Sequence, residues 1–132
     1  MAAFQFELVS PEKLLFSGEV EAVTAPGTEG EFTVLKDHAA FLTTLRPGRV
    51  AIKGGGADED LYVRGGFADV SPEGFTILAD FAIPMNEVDS AVLDKDIELA
   101  EKAIEDAVGD ETRRVATEQR DHLREFKATL GR

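Results

Sequence analysis

Phe4, Phe6 and Leu8 alternate with Gln5, Glu7 and Val9, the period of two that a strand with one buried face requires. Ser10-Pro11-Glu12 turns the chain. Leu14–Phe16 and Val20–Ala25 predict two further strand segments, with a bulge or kink expected at Gly18 between them. Pro26-Gly27 and the Gly27-x-x-Gly30 spacing predict a tight loop, because glycine reaches positive φ without steric penalty. Phe32, Val34 and Leu35 predict a short strand that Lys36-Asp37-His38 breaks. Phe41 to Leu45 resumes an apolar run, and Pro47-Gly48 turns again. Val50–Lys53 and Leu61–Arg64 predict strands joined through Gly54 to Asp60, read as a flexible hairpin tip. The triple glycine there lacks the Lys-Ser/Thr and following helix of a phosphate cradle. Gly65-Gly66 introduces Phe67–Ser71, Pro72-Glu73-Gly74 turns, and Phe75–Asp80 closes the β half. Many short strands parted by turn residues predict a β-sandwich or flattened barrel over residues 1–85.

At Pro84 the period changes from two to about 3.6 residues. Asn86 or Asp89 can cap a helix in which Leu93, Ile97, Ala100, Ile104 and Val108 form one stripe, widened by Val92, Leu99 and Ala103. Gly109 fits the left-handed position after a helix end, and Asp110 the next N-cap. A second helix carries Val115, Gln119, Leu123, Phe126 and Leu130 at similar spacing, so residues 86–132 predict an antiparallel two-helix hairpin. Ala100, Ala103 and Ala107 bury little area. A hairpin docked partly through alanines should be released at a cost of only a few kcal/mol, which suits a movable element and equally an idle one.

Charge adds a distinction between the two helices. Glu87, Asp89, Asp94, Asp96, Glu98, Glu101, Glu105 and Asp106 make the first acidic, whereas Arg113, Arg114, Arg120, Arg124, Lys127 and Arg132 make the second basic. Two readings stand: opposite-charge lacing of exposed helix faces, or a basic helix that meets an acidic partner when the hairpin leaves its resting place. The whole chain of 132 residues has a formal charge of −12, which argues against nucleic acid and anionic lipid as direct partners. No segment reaches the ~20 apolar residues of a membrane helix, and the first residues lack a signal-peptide pattern. A soluble, cytoplasmic protein is expected.

Candidate chemistry is sparse. The chain has no cysteine, and its two histidines, His38 and His122, stand far apart and outside any zinc-like cluster. Spacing supports no nucleophile–base arrangement. Glu29 and Glu31 could be imagined as an acid/base pair, but their loop lacks the apolar surroundings a general acid needs, so exposed recognition is the better reading. No metal or cofactor is expected.

In order along the chain stand Phe16-Ser17-Gly18, Gly-x-Glu-Gly-Glu at 27–31, Asp37-His38-Ala39, Leu42-Thr43, Pro47-Gly48 and Gly65-Gly66-Phe67. Together these pieces resemble the epsilon subunit of bacterial F-type ATP synthase, the delta subunit of mitochondria. The resemblance implies an N-terminal β-sandwich and a C-terminal two-helix domain, and a non-catalytic subunit at the foot of the central stalk. It implies peripheral attachment at the cytoplasmic face of the inner membrane, through the gamma subunit and the c-ring. It places Glu29 and Glu31 toward c-ring loops that carry arginine, and His38, Ala39 and Leu42 toward gamma. The second helix, with Arg113, Arg114, Arg120 and Arg124, would reach the alpha and beta subunits transiently and restrain ATP hydrolysis. Nucleotide-binding members carry apolar-Asp-x-x-Arg-Ala. The matching positions here are Val88, Asp89, Val92 and Leu93, without the arginine, so ATP binding is expected to be weak or absent. From another class, an acidic protein-binding module with no role in ATP synthesis is the competing expectation, and a small β-fold enzyme a third.

Overall fold

A computed structural model describes residues 3–54 and 58–130. The chain forms two compact units, Met1–Met85 and Asn86–Arg132. The first is built of strands β1 (Phe4–Val9), β2 (Leu14–Val20), β3 (Ala22–Gly27), β4 (Gly30–Val34), β5 (Phe41–Leu45), β6 (Gly48–Lys53), β7 (Glu59–Val63), β8 (Gly66–Ser71), β9 (Gly74–Ala79) and β10 (Ala82–Pro84). One layer runs β10-β7-β6-β3-β4 and the other β5-β8-β9-β1-β2. They are joined by a single bridge, Gly27 to Leu45. All pairings are antiparallel except that of β1 with β9.

The interior follows from strand alternation. Phe4, Phe6 and Leu8 of β1 point inward and meet Val23 and Ala25, Val50 and Ile52, Val70, Phe75 and Ile77, all buried. Phe6 lies at its centre, with its ring 5.1 Å from that of Phe75 and 5.7 Å from that of Phe16. Each such side chain contributes about 1.5–3 kcal/mol by leaving water.

Several boundaries differ from those the sequence predicts. Gly18 is no bulge: it pairs with Phe6 inside an unbroken β2, and the irregularity falls instead between Leu8 and Val9. Leu35 lies beyond the end of β4 and is exposed. The β half closes not at Asp80 but with β10, a three-residue edge strand on β7. Of the expected hairpin tip, residues 55–57 lie outside the described residues.

A 3-10 turn (Met85–Glu87) spans the boundary in the chain and is followed by the helices of the second unit, α1 (Ser90–Asp106) and α2 (Asp110–Leu130). Asp89 is the N-cap of α1, its carboxylate accepting from the Val92 N–H at 3.0 Å. Leu93 and Ala100 are buried on α1 and Leu123 on α2. Helix α1 ends at Asp106, so Val108 falls outside the stripe and is 87% exposed, and Val115 is also exposed. The cap between the helices shifts by one residue. The Gly109 carbonyl accepts the first α2 bond from the Arg113 N–H, which makes Gly109 the capping residue and places Asp110 inside the helix. Two interhelix contacts, Lys127 with Asp94 and Arg124 with Glu101 at 2.6 Å, run in opposite senses along the two helices and fix them as antiparallel.

Candidate functional site

The loop between β3 and β4 is a two-residue hairpin, with Gly27 paired to Gly30 and Thr28-Glu29 at its tip. Its two glycines serve differently. Gly30 takes a φ of +139°, whereas a Cβ on Gly27 would come within 2.7 Å of the Gly30 carbonyl and 3.0 Å of the Phe32 ring. Thr28 anchors the tip to the opposite layer, its N–H 3.0 Å and its Oγ1 2.9 Å from the Thr44 carbonyl. This leaves Glu29 and Glu31 exposed on a held loop. They line one shallow groove of about 330 Å³ with Phe32, Phe41 and Leu42. Rigid loops carrying unpaired carboxylates can orient a basic partner.

His38 and Ala39 lie elsewhere, in a cleft of about 980 Å³ that shares only Phe41 with that groove. The structure therefore brings Leu42 to the carboxylate hairpin and separates it from the other two residues assigned to the same contact. His38 is fixed by its own loop and by β8, with Nδ1 2.6 Å from the Leu35 carbonyl and Nε2 2.6 Å from that of Ser71.

A surface that the motifs do not mark lies on the outside of the β5-β8-β9-β1-β2 layer. Register places Thr44 opposite Phe67, Phe67 opposite Leu78, Leu78 opposite Val9 and Val9 opposite Leu14. Phe67 is 52%, Leu78 53% and Leu14 57% exposed, and Leu42, one row away, 68%. A layer turned to water should carry polar residues at these positions, so a row of large apolar ones marks an interaction surface. The signal is present in the sequence: Phe67 and Leu78 stand at the outward parity of strands whose inward positions are already apolar.

In the helical unit Arg124 and Lys127 pair with carboxylates of α1, whereas Arg113, Arg114 and Arg120 pair within α2. Arg113 lies 3.9 Å from Asp110, Arg120 3.1 Å from Asp121, and Arg124 bonds Glu101 across the hairpin. Arg114 sits between Glu111 and Glu118, 2.6 Å from the latter. Its hydrogen bond, then its charge, lower the Glu111 carboxyl below its usual range, and the same contacts raise the guanidinium. These pairs are exposed and screened by solvent, so they hold the arginines only weakly. Arg132 lies outside the described residues. At the motif positions of α1, Val88 and Leu93 are buried, Asp89 is occupied as the helix cap, and Val92 offers no donor. Among the described residues no cluster of His, Cys, Asp or Glu could hold a metal ion, and no helix is long and apolar enough to cross a membrane.

Residues 3–85 match the family model described as ATP synthase, Delta/Epsilon chain, beta-sandwich domain. The ATP synthase epsilon chain of Parvibaculum lavamentivorans is 46% identical over 126 residues, covering 95% of this chain and 96% of that one. That of Bradyrhizobium sp. (strain ORS 278) is 45% identical over 99% of this chain and 96% of its own. Among solved structures, a chain of the Euglena gracilis mitochondrial ATP synthase (OSCP/F1/c-ring) superposes with a TM-score of 0.72 at 26% identity, over 98% of this chain and 82% of that one. A chain of the Tetrahymena thermophila mitochondrial ATP synthase (central stalk/c-ring) has the same fold, with a TM-score of 0.70 at 19% identity, over 96% and 95%.

Proposed function

The chain belongs to the ATP synthase delta/epsilon family, and on that premise we propose how its surfaces serve a rotor. It is a central-stalk subunit, and its task is to couple c-ring rotation to the catalytic head rather than to perform chemistry. The row of exposed apolar residues beside a rigid carboxylate hairpin carries the reading, because it offers one patch for adhesion and one for orientation. Leu14, Leu42, Phe67 and Leu78 dock on the gamma subunit, where buried apolar contact supplies affinity. Glu29 and Glu31 face the arginine-bearing loops of the c-ring, and His38 and Ala39 sit at the gamma edge of the same assembly. The assembly lies at the cytoplasmic face of the inner membrane, to which the subunit is bound through its partners. Arg113, Arg114, Arg120 and Arg124 meet the alpha and beta subunits only after exchanging the carboxylates that already hold them, which favours mild restraint of hydrolysis.

Charge reversal tests the hairpin assignment. Glu31→Lys should change folding stability by no more than about 0.5 kcal/mol, since the side chain is exposed. It should weaken association with the c-ring at least about fivefold at low salt, an effect that shrinks as salt is added. Proton pumping in reconstituted membranes reports the coupling, and unchanged pumping with unchanged low-salt affinity refutes the contact.

Nucleotide gives a second expectation. With valine at position 92 and the Asp89 carboxylate engaged by the helix, the motif presents no cationic side chain to phosphate and only the single hydroxyl of Ser90 as a donor. ATP should bind the full chain no tighter than roughly millimolar, about 4 kcal/mol, by calorimetry. Saturable micromolar binding overturns this.

A further inference from the structure

Both ring nitrogens of His38 lie 2.6 Å from backbone carbonyl oxygens, one on Leu35 and one on Ser71. A carbonyl oxygen only accepts, so each nitrogen must donate, and only the imidazolium carries two N–H groups. A neutral ring would turn a lone pair toward one of the two oxygens. The carbonyls belong to separate parts of the sandwich, Leu35 just after β4 and Ser71 at the end of β8. The ring also packs edge-on against Phe4 of β1, with centroids 5.5 Å apart. Charged groups in its cleft are Lys36 and Asp37 from its own loop, Glu21 from the β2–β3 junction, Lys53 from β6 and Asp58 before β7. Lys36 is itself directed to the Ala3 carbonyl at 3.1 Å. Glu73 stands in the adjoining β8–β9 turn. Carboxylates outnumber ammonium groups on this side, so the surroundings do not oppose a cation.

We propose that His38 is a proton-operated clasp: its imidazolium ties the β4–β5 loop to the end of β8, and loss of the ring proton releases that loop. The sign follows from the donors. The clasp is complete while the ring carries both protons, and it loses one of its two bonds when rising pH removes one of them. Ala39 follows the clasp directly and β5 begins two residues later, so the clasp sets the position of the segment placed against gamma. This second consequence rests on the docking reading above, whereas the clasp does not.

The test uses the full chain labelled with nitrogen-15. Imidazole nitrogen shifts should show both His38 nitrogens protonated in the closed state, with His122 as the internal reference. Amides at 36–40, corrected for intrinsic exchange, should open about fivefold more often once the ring is neutral, the factor carried by one hydrogen bond of ordinary net strength. His38→Gln should abolish that pH dependence while amides in the β1 and β9 core keep their protection. A single neutral tautomer throughout, or corrected exchange that ignores pH, overturns the clasp. Gamma affinity that ignores pH while the clasp responds to it would refute the docking reading instead.

Discussion

Replacing Phe67 and Leu78 together by aspartate should leave the sandwich folded and reduce its affinity for the gamma subunit at least about 100-fold. Both side chains are about half exposed on outward faces of β8 and β9, opposite one another in register, so neither replacement opens the core. The pair instead removes two large apolar anchors and would bury two carboxylates without partners in any interface formed there. Each truncated anchor costs about 2 kcal/mol or more, and about 1.4 kcal/mol is a factor of ten. Titration calorimetry against purified gamma measures the loss, and circular dichroism with thermal melts checks the fold. Near-normal affinity in a folded double variant would remove the outer face of this layer from the rotor contact.

An opposite outcome is expected at the neighbouring position, where a single methyl group should be enough to damage the domain. Gly66 has a φ of +138°, and a Cβ built there would stand 2.1 Å from the Leu78 carbonyl oxygen and 2.9 Å from the Ala79 Cα. It is paired on both sides, with Leu45 and with Ala79, so the backbone has no free direction in which to move. Gly66→Ala should therefore cost about 3–5 kcal/mol, the strain of a positive-φ alanine plus displacement of a strand. At about 4 °C or more per kcal/mol for a domain of this size, the melting temperature should fall by at least about 12 °C. A loss below about 1 kcal/mol would mean that β8 and β9 separate more easily than their pairing implies.

These two cases also separate what the sequence discloses from what it hides. Strand β1 was legible because Phe4, Phe6 and Leu8 keep strict alternation, and the Glu29–Glu31 loop because glycine and proline punctuate it. Strand β10 was not, since Ala82–Pro84 is too short for a period and contains proline, which is tolerated only because the strand lies at a sheet edge. Gly18 misled because glycine within a strand is taken as a break, yet here it pairs in regular register with Phe6. Phe67 and Leu78 were visible as outward apolar residues, but their continuation into one row with Val9 and Leu14 depends on the pairing of β9 with β1, a strand far away in the chain. The second partner of His38 comes from 33 residues further on, and no local spacing announces it. The carboxylate partners of Arg114 are the contrast: they stand three residues before and four after it, within reach of helix geometry alone.

The parallel pairing of β1 with β9 governs the order in which the molecule can be made. Phe6 meets Phe75, roughly 70 residues later, so β1 waits on the ribosome for nearly the last strand of its sheet. Until then a β1–β2 ribbon holds Phe6 and Leu8 uncovered and offers an unpaired edge, the condition under which chains associate wrongly. The helical hairpin has no such delay, for its contacts are local and close in microseconds. The fast-folding element is therefore made after the slow sandwich already has all its strands in hand.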